Sequence, residues 1–283
     1  MLKRLRSAAA AFAALLLAGC VSVAVEETSF FWPDSRVRAE GVVLGANPPP
    51  VGAETLSLRY AGGPVGASLI RAQGAERPLI LFCGGNLFRR ASAGGSAAAK
   101  LLPFGDVLMW DYPGYGGTAG EATLSAFRAA GEVVAAEARA RADREGRRLI
   151  LWGHSLGGVV CAQGAAMARP DALVLEATTP SAAAVVDDEA GIWRPLVRVT
   201  LSPDLAAASI PQALRGYGGK VVVLEAGRDQ TLSPRLSRRL ERELKAQGVR
   251  VERLVFPQAE HNDIGRQPDF QSRLANALAS SRN

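Results

Sequence analysis

The stretch Gly153-His154-Ser155-Leu156-Gly157 constrains this chain more than any other. The apolar run Leu149-Ile150-Leu151-Trp152 enters it, and the small-residue run Gly158-Val159-Val160-Cys161-Ala162 leaves it. The first run reads as a buried strand and the second as a helix, so the chain must reverse within the pentapeptide. Gly153 and Gly157 suit that turn, because a side chain at either place would collide with the folded-back backbone. A serine on such a strand-to-helix turn forms a nucleophile elbow, its hydroxyl pushed out at the top of a sheet. The competing reading is a glycine-rich turn that carries a serine by accident. The flanking strand and helix weigh against it.

A serine hydroxyl is a weak nucleophile until a base takes its proton, and histidine is the usual base near neutral pH. The chain has two histidines, His154 and His261. Neighbouring side chains on an extended strand point to opposite faces, so His154 is expected to pack beside the sheet, out of reach of the Ser155 hydroxyl. His261 follows the apolar run Val249 to Phe256, in the loop Phe256-Pro257-Gln258-Ala259-Glu260-His261-Asn262-Asp263. It is the candidate base.

Residues 1–19 read as a targeting segment: Lys3, Arg4 and Arg6 precede an apolar stretch too short for a membrane span. The ending Leu17-Ala18-Gly19-Cys20 resembles the bacterial lipoprotein signal. That resemblance implies cleavage before Cys20, lipid modification of Cys20 and residence in the cell envelope. Val21 stands where inner-membrane retention goes with aspartate, so the expected location is the outer membrane, facing the periplasm. Without Lys3, Arg4 and Arg6, 30 basic residues face 27 acidic ones, a net charge of +3. The charges alternate, as in Arg238-Arg239-Leu240-Glu241-Arg242-Glu243, which reads as solvated helix surface and speaks against a nucleic-acid groove. Cys83 and Cys161 are the remaining cysteines; both are expected to be buried, and an oxidising compartment would permit a bridge between them. No metal-ligand spacing, dinucleotide fingerprint or phosphate loop is present, so no cofactor is expected.

Residues 20–53 read as a lipidated N-terminus and tether, with Phe30-Phe31-Trp32-Pro33 as an apolar knot expected to pack on its own domain, contact with lipid being the alternative. A single domain is expected over 54–283. Leu56 to Tyr60 alternates like a half-buried strand, and Gly66 to Ala72 reads as its antiparallel partner. Strands at Leu79 to Phe82, Val107 to Trp110, Leu149 to Trp152, Leu173 to Leu175, Val221 to Leu224 and Val251 to Phe256 then alternate with helices. Apolar strands separated by helices argue for a mostly parallel sheet covered on both faces, with the first hairpin antiparallel.

Acyl transfer needs an acid to hold the base and donors for an oxyanion. Asp229 lies a few residues beyond Val221 to Leu224 and before His261, in the order serine, acid, histidine. Its rivals are Glu225, still on the strand, and Asp263, close to His261 along the chain; Asp187, Asp188 and Asp204 lie in the connection between sheet strands. One oxyanion donor should be the backbone N–H of Leu156. The second is expected from Cys83-Gly84-Gly85-Asn86, at the N–H of Asn86, with Gly85 as the near rival.

Gly-His-Ser-Leu-Gly-Gly, Phe-Cys-Gly-Gly-Asn, Asp111-Tyr112-Pro113-Gly114-Tyr115-Gly116 and His261-Asn262-Asp263 together resemble the serine α/β-hydrolases. The branch is the small, lysophospholipase-like and dipeptidyl-peptidase-like group without a large cap, and the similarity runs from about Pro78 to Phe270. The resemblance implies an α/β-hydrolase fold, a triad of Ser155, Asp229 and His261, and an oxyanion hole at Asn86 and Leu156. It places the Asp111 to Gly116 loop below the site, with Tyr115 packing there. Two departures stand out. Gly84 replaces the histidine that many members carry before the oxyanion glycine, and Asp229 follows Gly227 by two residues where three is common. The implied activity is hydrolysis of an ester, with thioester or amide as alternatives, by a monomer acting on a small-molecule or lipid-like acyl substrate. A roof over the pocket is expected from Thr178 to Gly219, with Trp193, Leu196, Val197 and Leu201. The reading from another class is a non-catalytic envelope lipoprotein that binds through the same scaffold.

Overall fold

The computed structural model describes residues 21–74, 77–191 and 197–279. The leader, Cys20, Trp193 and Leu196 lie outside the described residues. An eight-stranded sheet runs in the order β10-β9-β7-β6-β4-β5-β3-β2. Its strands are β2 (Glu54–Tyr60), β3 (Gly63–Ile70), β4 (Leu79–Cys83), β5 (Asp106–Trp110), β6 (Leu149–His154), β7 (Ala172–Glu176), β9 (Lys220–Ala226) and β10 (Arg250–Phe256). From β5 through β10 every neighbouring pair is parallel, while β3 pairs antiparallel with both β5 and β2. The expected mostly parallel sheet with an N-terminal antiparallel hairpin is the fold observed.

The inner strands β4, β5, β6, β7 and β9 are buried on both faces, so consecutive residues serve two separate cores. Leu79, Leu81, Leu149 and Leu151 pack on one side with the helices Leu124–Arg144 and Leu156–Ala168. Ile80, Phe82, Ile150 and Trp152 face the other side, with the helices Arg90–Leu101 and Phe270–Ala279. Helix starts are specified locally: the hydroxyls of Thr123, Ser181, Ser209 and Ser233 each accept from a backbone N–H of the first turn.

Strand order decides where chemistry can sit. From β4 the chain adds β5 on one side, then crosses back to lay β6 on the other side of β4. Loops leaving the carboxyl ends of β4 and β6 therefore diverge and open a crevice between them. The elbow and the Gly84-Gly85-Asn86 loop both border it. Cys83 and Cys161 form a disulfide with Cα atoms 6.0 Å apart, tying the end of β4 to the helix that follows the elbow.

The N-terminal stretch departs from the expected tether. β1 (Val21–Val25) pairs in parallel with β8 (Val197–Leu201), a strand inside the Thr178 to Gly219 connection. Phe31 is fully buried, its ring 4.8 Å from that of Phe127. Pro49 sits against Gly94, and Asn47 exchanges backbone hydrogen bonds with Ala91 and Gly95. Burial of Phe31 and these bonds dock the segment; the Phe30 to Pro33 knot packs on its own domain, as expected.

Candidate active site

Ser155 occupies φ 54, ψ −121, backbone space that a residue with a Cβ enters only under strain. The fold imposes it. A Cβ on Gly157 would stand 2.0 Å from the Cys83 carbonyl oxygen, and one on Gly153 would stand 2.3 Å from the Gly157 carbonyl oxygen. With both glycines bare, β6 passes directly into the helix Leu156–Ala168. Two further bonds hold the turn: the Ser155 N–H donates to the Glu176 carbonyl at 2.9 Å, and the Thr178 hydroxyl donates to the Ser155 carbonyl at 2.7 Å.

Asp229 and His261, 32 residues apart, meet directly: His261 Nδ1 lies 2.7 Å from Asp229 Oδ2. The Asp229 side chain is 2% exposed. Its other oxygen accepts from the N–H groups of Thr231 and Leu232, both at 2.8 Å. Those two donors aim the carboxylate and hold its charge in a buried place. With a carboxylate on Nδ1, that nitrogen carries the proton and Nε2 is left with a lone pair. Among the described residues no hydrogen bond joins the Ser155 hydroxyl to His261; such bonds often tighten only when substrate arrives.

The rival acids are engaged elsewhere. Glu225 is ion-paired with Arg253 at 2.6 Å and Arg238 at 3.7 Å, and Asp263 accepts from the Glu260 N–H at 2.6 Å.

Leu156 opens its helix directly after the elbow, so its N–H has no intrahelical acceptor. Across that crevice, Asn86 is held by its side chain. Its Oδ1 accepts from the Trp32 N–H at 3.0 Å and the Tyr115 hydroxyl at 2.9 Å, and its amide donates to the Phe30 carbonyl. The Tyr112 hydroxyl donates to the Gly84 carbonyl at 2.6 Å. Burial raises the pKa of both phenols, so both stay protonated donors. The Asp111 to Gly116 loop therefore supports the Gly84 to Asn86 loop from below. At Gly84 the ring of Phe88 fills the space a side chain would need, 2.2 Å from a built Cβ.

His154 lies beside the sheet, as parity required, but it also touches the candidate base, His261. Its Nε2 is 3.0 Å from the His261 carbonyl oxygen. The position of His154 was readable from alternation; this contact was not, because nothing local relates β6 to the loop after β10. Below His154, the buried Glu176 carboxylate accepts from Lys100 Nζ and Trp152 Nε1, each at 2.7 Å. Burial pushes the Glu176 carboxyl up, but Lys100, His154 and the two hydrogen bonds outweigh it, and the net shift is downward.

Burial drives the His154 imidazole down to about 4 from its ordinary 6.5; Glu176 and the hydrogen bond to the His261 carbonyl oppose the shift, while Lys100 and the His261 imidazole add to it. Between those two values the unfolded chain binds a proton that the folded chain refuses. The neutral imidazole's contribution to stability is therefore complete above pH 6.5 and is lost as pH falls through about 4. Wild type should lose up to about 3 kcal/mol across that window through this group. His154→Leu should show a correspondingly flatter decline in urea unfolding at pH 7, 5.5 and 4.5. Parallel declines in the two proteins would contradict the buried neutral state.

Among the described residues no group of three or more His, Cys, Asp or Glu side chains is placed to hold a metal ion, and no helix is long and apolar enough to cross a membrane. Two surface clefts, one beside Arg169, Pro170 and Tyr217 and one beside Val37, Arg38 and Arg89, include none of Ser155, Asp229 and His261.

Comparison with known proteins bears on the fold and the family. An uncharacterized protein of Mycobacterium tuberculosis, the same in two strains, is 29% identical over 193 residues, which is 67% of this chain and 65% of that protein. The match thus spans less than two thirds of those relatives' length. Among solved structures, an esterase of Pyrobaculum calidifontis superposes with a TM-score of 0.59 at 20% identity, covering 83% of this chain and 86% of its own. A Pyrococcus furiosus esterase gives 0.63 at 15% identity, covering 84% and 98%. A serine hydrolase without lid from Xanthomonas campestris gives 0.53 at 18%, covering 83% and 96%. At these identities the likeness is one of fold. The family model described as the alpha/beta hydrolase family matches residues 80–254, which take in β4, the elbow and the Asp229 loop, and on that match this chain belongs to the alpha/beta hydrolase family.

Proposed function

We propose that this chain is a serine hydrolase that cleaves a carboxylic ester through an acyl-enzyme. The observation that carries the reading is the buried Asp229–His261 hydrogen bond, on the same sheet edge as a serine held in a strained elbow. Ser155 Oγ attacks the ester carbonyl carbon as its proton passes to His261 Nε2, and the carbonyl π pair moves onto oxygen. The N–H groups of Leu156 and Asn86 receive that oxyanion. Collapse of the tetrahedral species expels the alcohol, which takes the proton from His261, and the acyl group stays on Ser155. Water then attacks the acyl-enzyme with His261 as base, and the acid leaves. Asp229 orients the imidazole and stabilises its charged form. Thioesters and amides fit the same scheme with a different leaving group.

A p-nitrophenyl ester series of rising acyl length, with labelling by a serine-reactive phosphonate, tests this. Turnover that the phosphonate abolishes, with one equivalent bound at Ser155, is the expected result. A protein that neither turns over esters nor takes the label would be a binding lipoprotein on the same scaffold.

The attachment reading goes with it: Cys20 acylated, the domain facing the periplasm from the outer membrane, acting as a monomer on a lipid-like acyl substrate. Its support is the sequence before Val21 and the docking of β1 onto β8, which would seat the domain close to an anchored Cys20. Two acyl chains suffice for stable attachment where one is marginal. Cys20→Ala should move the protein from the membrane to the soluble fraction with soluble-ester turnover intact. Mass analysis of the mature N-terminus reads the modification directly, and an unmodified, soluble wild type would remove the anchor from the account.

A further inference from the structure

His154 has no part in the acyl-transfer scheme, yet it joins the strand that carries the nucleophile to the loop that carries the base. It is the last residue of β6, on the face that Ile150 and Trp152 share. The base loop rests on that same face, where Ala259 and Ile264 are buried on either side of His261. A carbonyl oxygen can only accept, so the 3.0 Å contact with the His261 carbonyl means that His154 carries its proton on Nε2 and donates it. The two rings stand 5.1 Å apart between centroids. On its other side, His154 Nδ1 faces Gly85 of the oxyanion loop, where a Cβ would come within 2.9 Å. One imidazole therefore spans from the oxyanion loop to the base loop, directly beneath the crevice.

The support under it is hydrogen-bonded. The buried Glu176 and Trp152 and the half-buried Lys100 form a hydrogen-bonded group, and Lys100 runs under Gly265, where a Cβ would meet its side chain at 2.7 Å. Glu176 also receives, through its backbone carbonyl, the N–H of Ser155. The charged and titratable groups facing His154 are thus Glu176, Lys100 and His261, on β7, the helix Arg90–Leu101 and the base loop.

We propose that His154 is a positioning residue for the base: its Nε2–H, held to the His261 carbonyl, sets the height of the His261 ring above the elbow and hence its separation from the Ser155 hydroxyl. This rests on the reading of Ser155, Asp229 and His261 as the triad. A misplacement of about 1 Å at a reacting group can cost on the order of 100-fold in rate. Removing the donor should therefore lower kcat while substrate binding, made elsewhere, is kept.

The test uses His154→Leu, which removes the donor, and His154→Gln, whose side-chain N–H can reach the same carbonyl. His154→Leu should lower kcat by about 10- to 100-fold with KM within about twofold. His154→Gln should recover most of that loss, at a melting temperature no higher than that of the Leu variant. Imidazole NMR supplies a readout that needs no turnover, because the chain has two histidines and their signals can be assigned by difference. Wild type should show His154 as the neutral Nε2–H form at pH 7 and down to pH 5. In His154→Leu the His261 ring signals should broaden. Wild-type kcat in His154→Leu, a Gln variant no better than Leu, or a His154 proton on Nδ1 would each overturn the proposal. Should wild type itself lack turnover abolished by Ser155→Ala, the triad reading fails, and the NMR arm still decides whether His154 holds the base loop.

Discussion

Ser155→Ala should reduce ester turnover by roughly a millionfold, to a level set by the oxyanion donors and by binding alone. The size follows from the role proposed for the hydroxyl: it forms the covalent bond, and no neighbouring group can replace it. Folding should survive. The elbow is shaped by Gly153 and Gly157 and by backbone bonds from Ser155 and to it, and alanine leaves all of these in place. The Ser155 φ of 54 is also no worse for alanine than for serine. The measurement is single-turnover and steady-state hydrolysis of the best ester from the chain-length series, with thermal melts beside it. A variant that melts like wild type and still hydrolyses the ester at the wild-type rate would end the proposed mechanism.

Asp229→Asn should cost about 10⁴-fold in kcat, because an amide can present its N–H to His261 Nδ1 and so favour the tautomer that cannot act as base. The two backbone donors on Oδ1, from Thr231 and Leu232, can still be met by the amide oxygen. The loop should therefore keep its shape, and the loss should fall on rate. Glu225→Gln and Asp263→Asn serve as comparisons. Glu225 lies 2.6 Å from Arg253, so its amide should weaken stability with little effect on kcat. Asp263 binds the Glu260 N–H and should act through loop shape alone. A larger rate loss in either of these than in Asp229→Asn would move the acid.

The sheet was legible because its strands announce themselves locally. Leu79 to Phe82 and Leu149 to Trp152 are continuous apolar runs, which is what burial on both faces requires. Leu56 to Tyr60 alternates because β2 is the outermost strand of the sheet and exposes one face, and its partner β3 begins three residues earlier than the spacing suggested. β1 and β8 were not legible as a pair. Each is five residues long, and only the other strand gives it a reason to be extended.

Of the candidate site, what neighbouring residues could specify stood in the sequence alone. The elbow is one continuous stretch, with its strand, its two glycines and the first N–H of its helix; steric exclusion at Gly153 acts between residues four apart, whereas at Gly157 it comes from the Cys83 carbonyl on β4. With two histidines in the chain and one excluded by strand parity, the choice of His261 needed no coordinates. Tertiary structure decided everything that depends on strand order. Asp229 reaches His261 because β9 and β10 are neighbours. Cys83 bridges to Cys161 because β4 lies beside β6 and the elbow helix folds back over both. Asn86 is gripped by residues 30 and 32 through a docked segment that sequence alone read as a tether. His154 meets His261 across 107 residues because two intervening strands set the distance between β6 and the base loop. Local periodicity carries no record of which strands become neighbours, since that choice is made by burial summed over the whole chain and not by any one stretch of it.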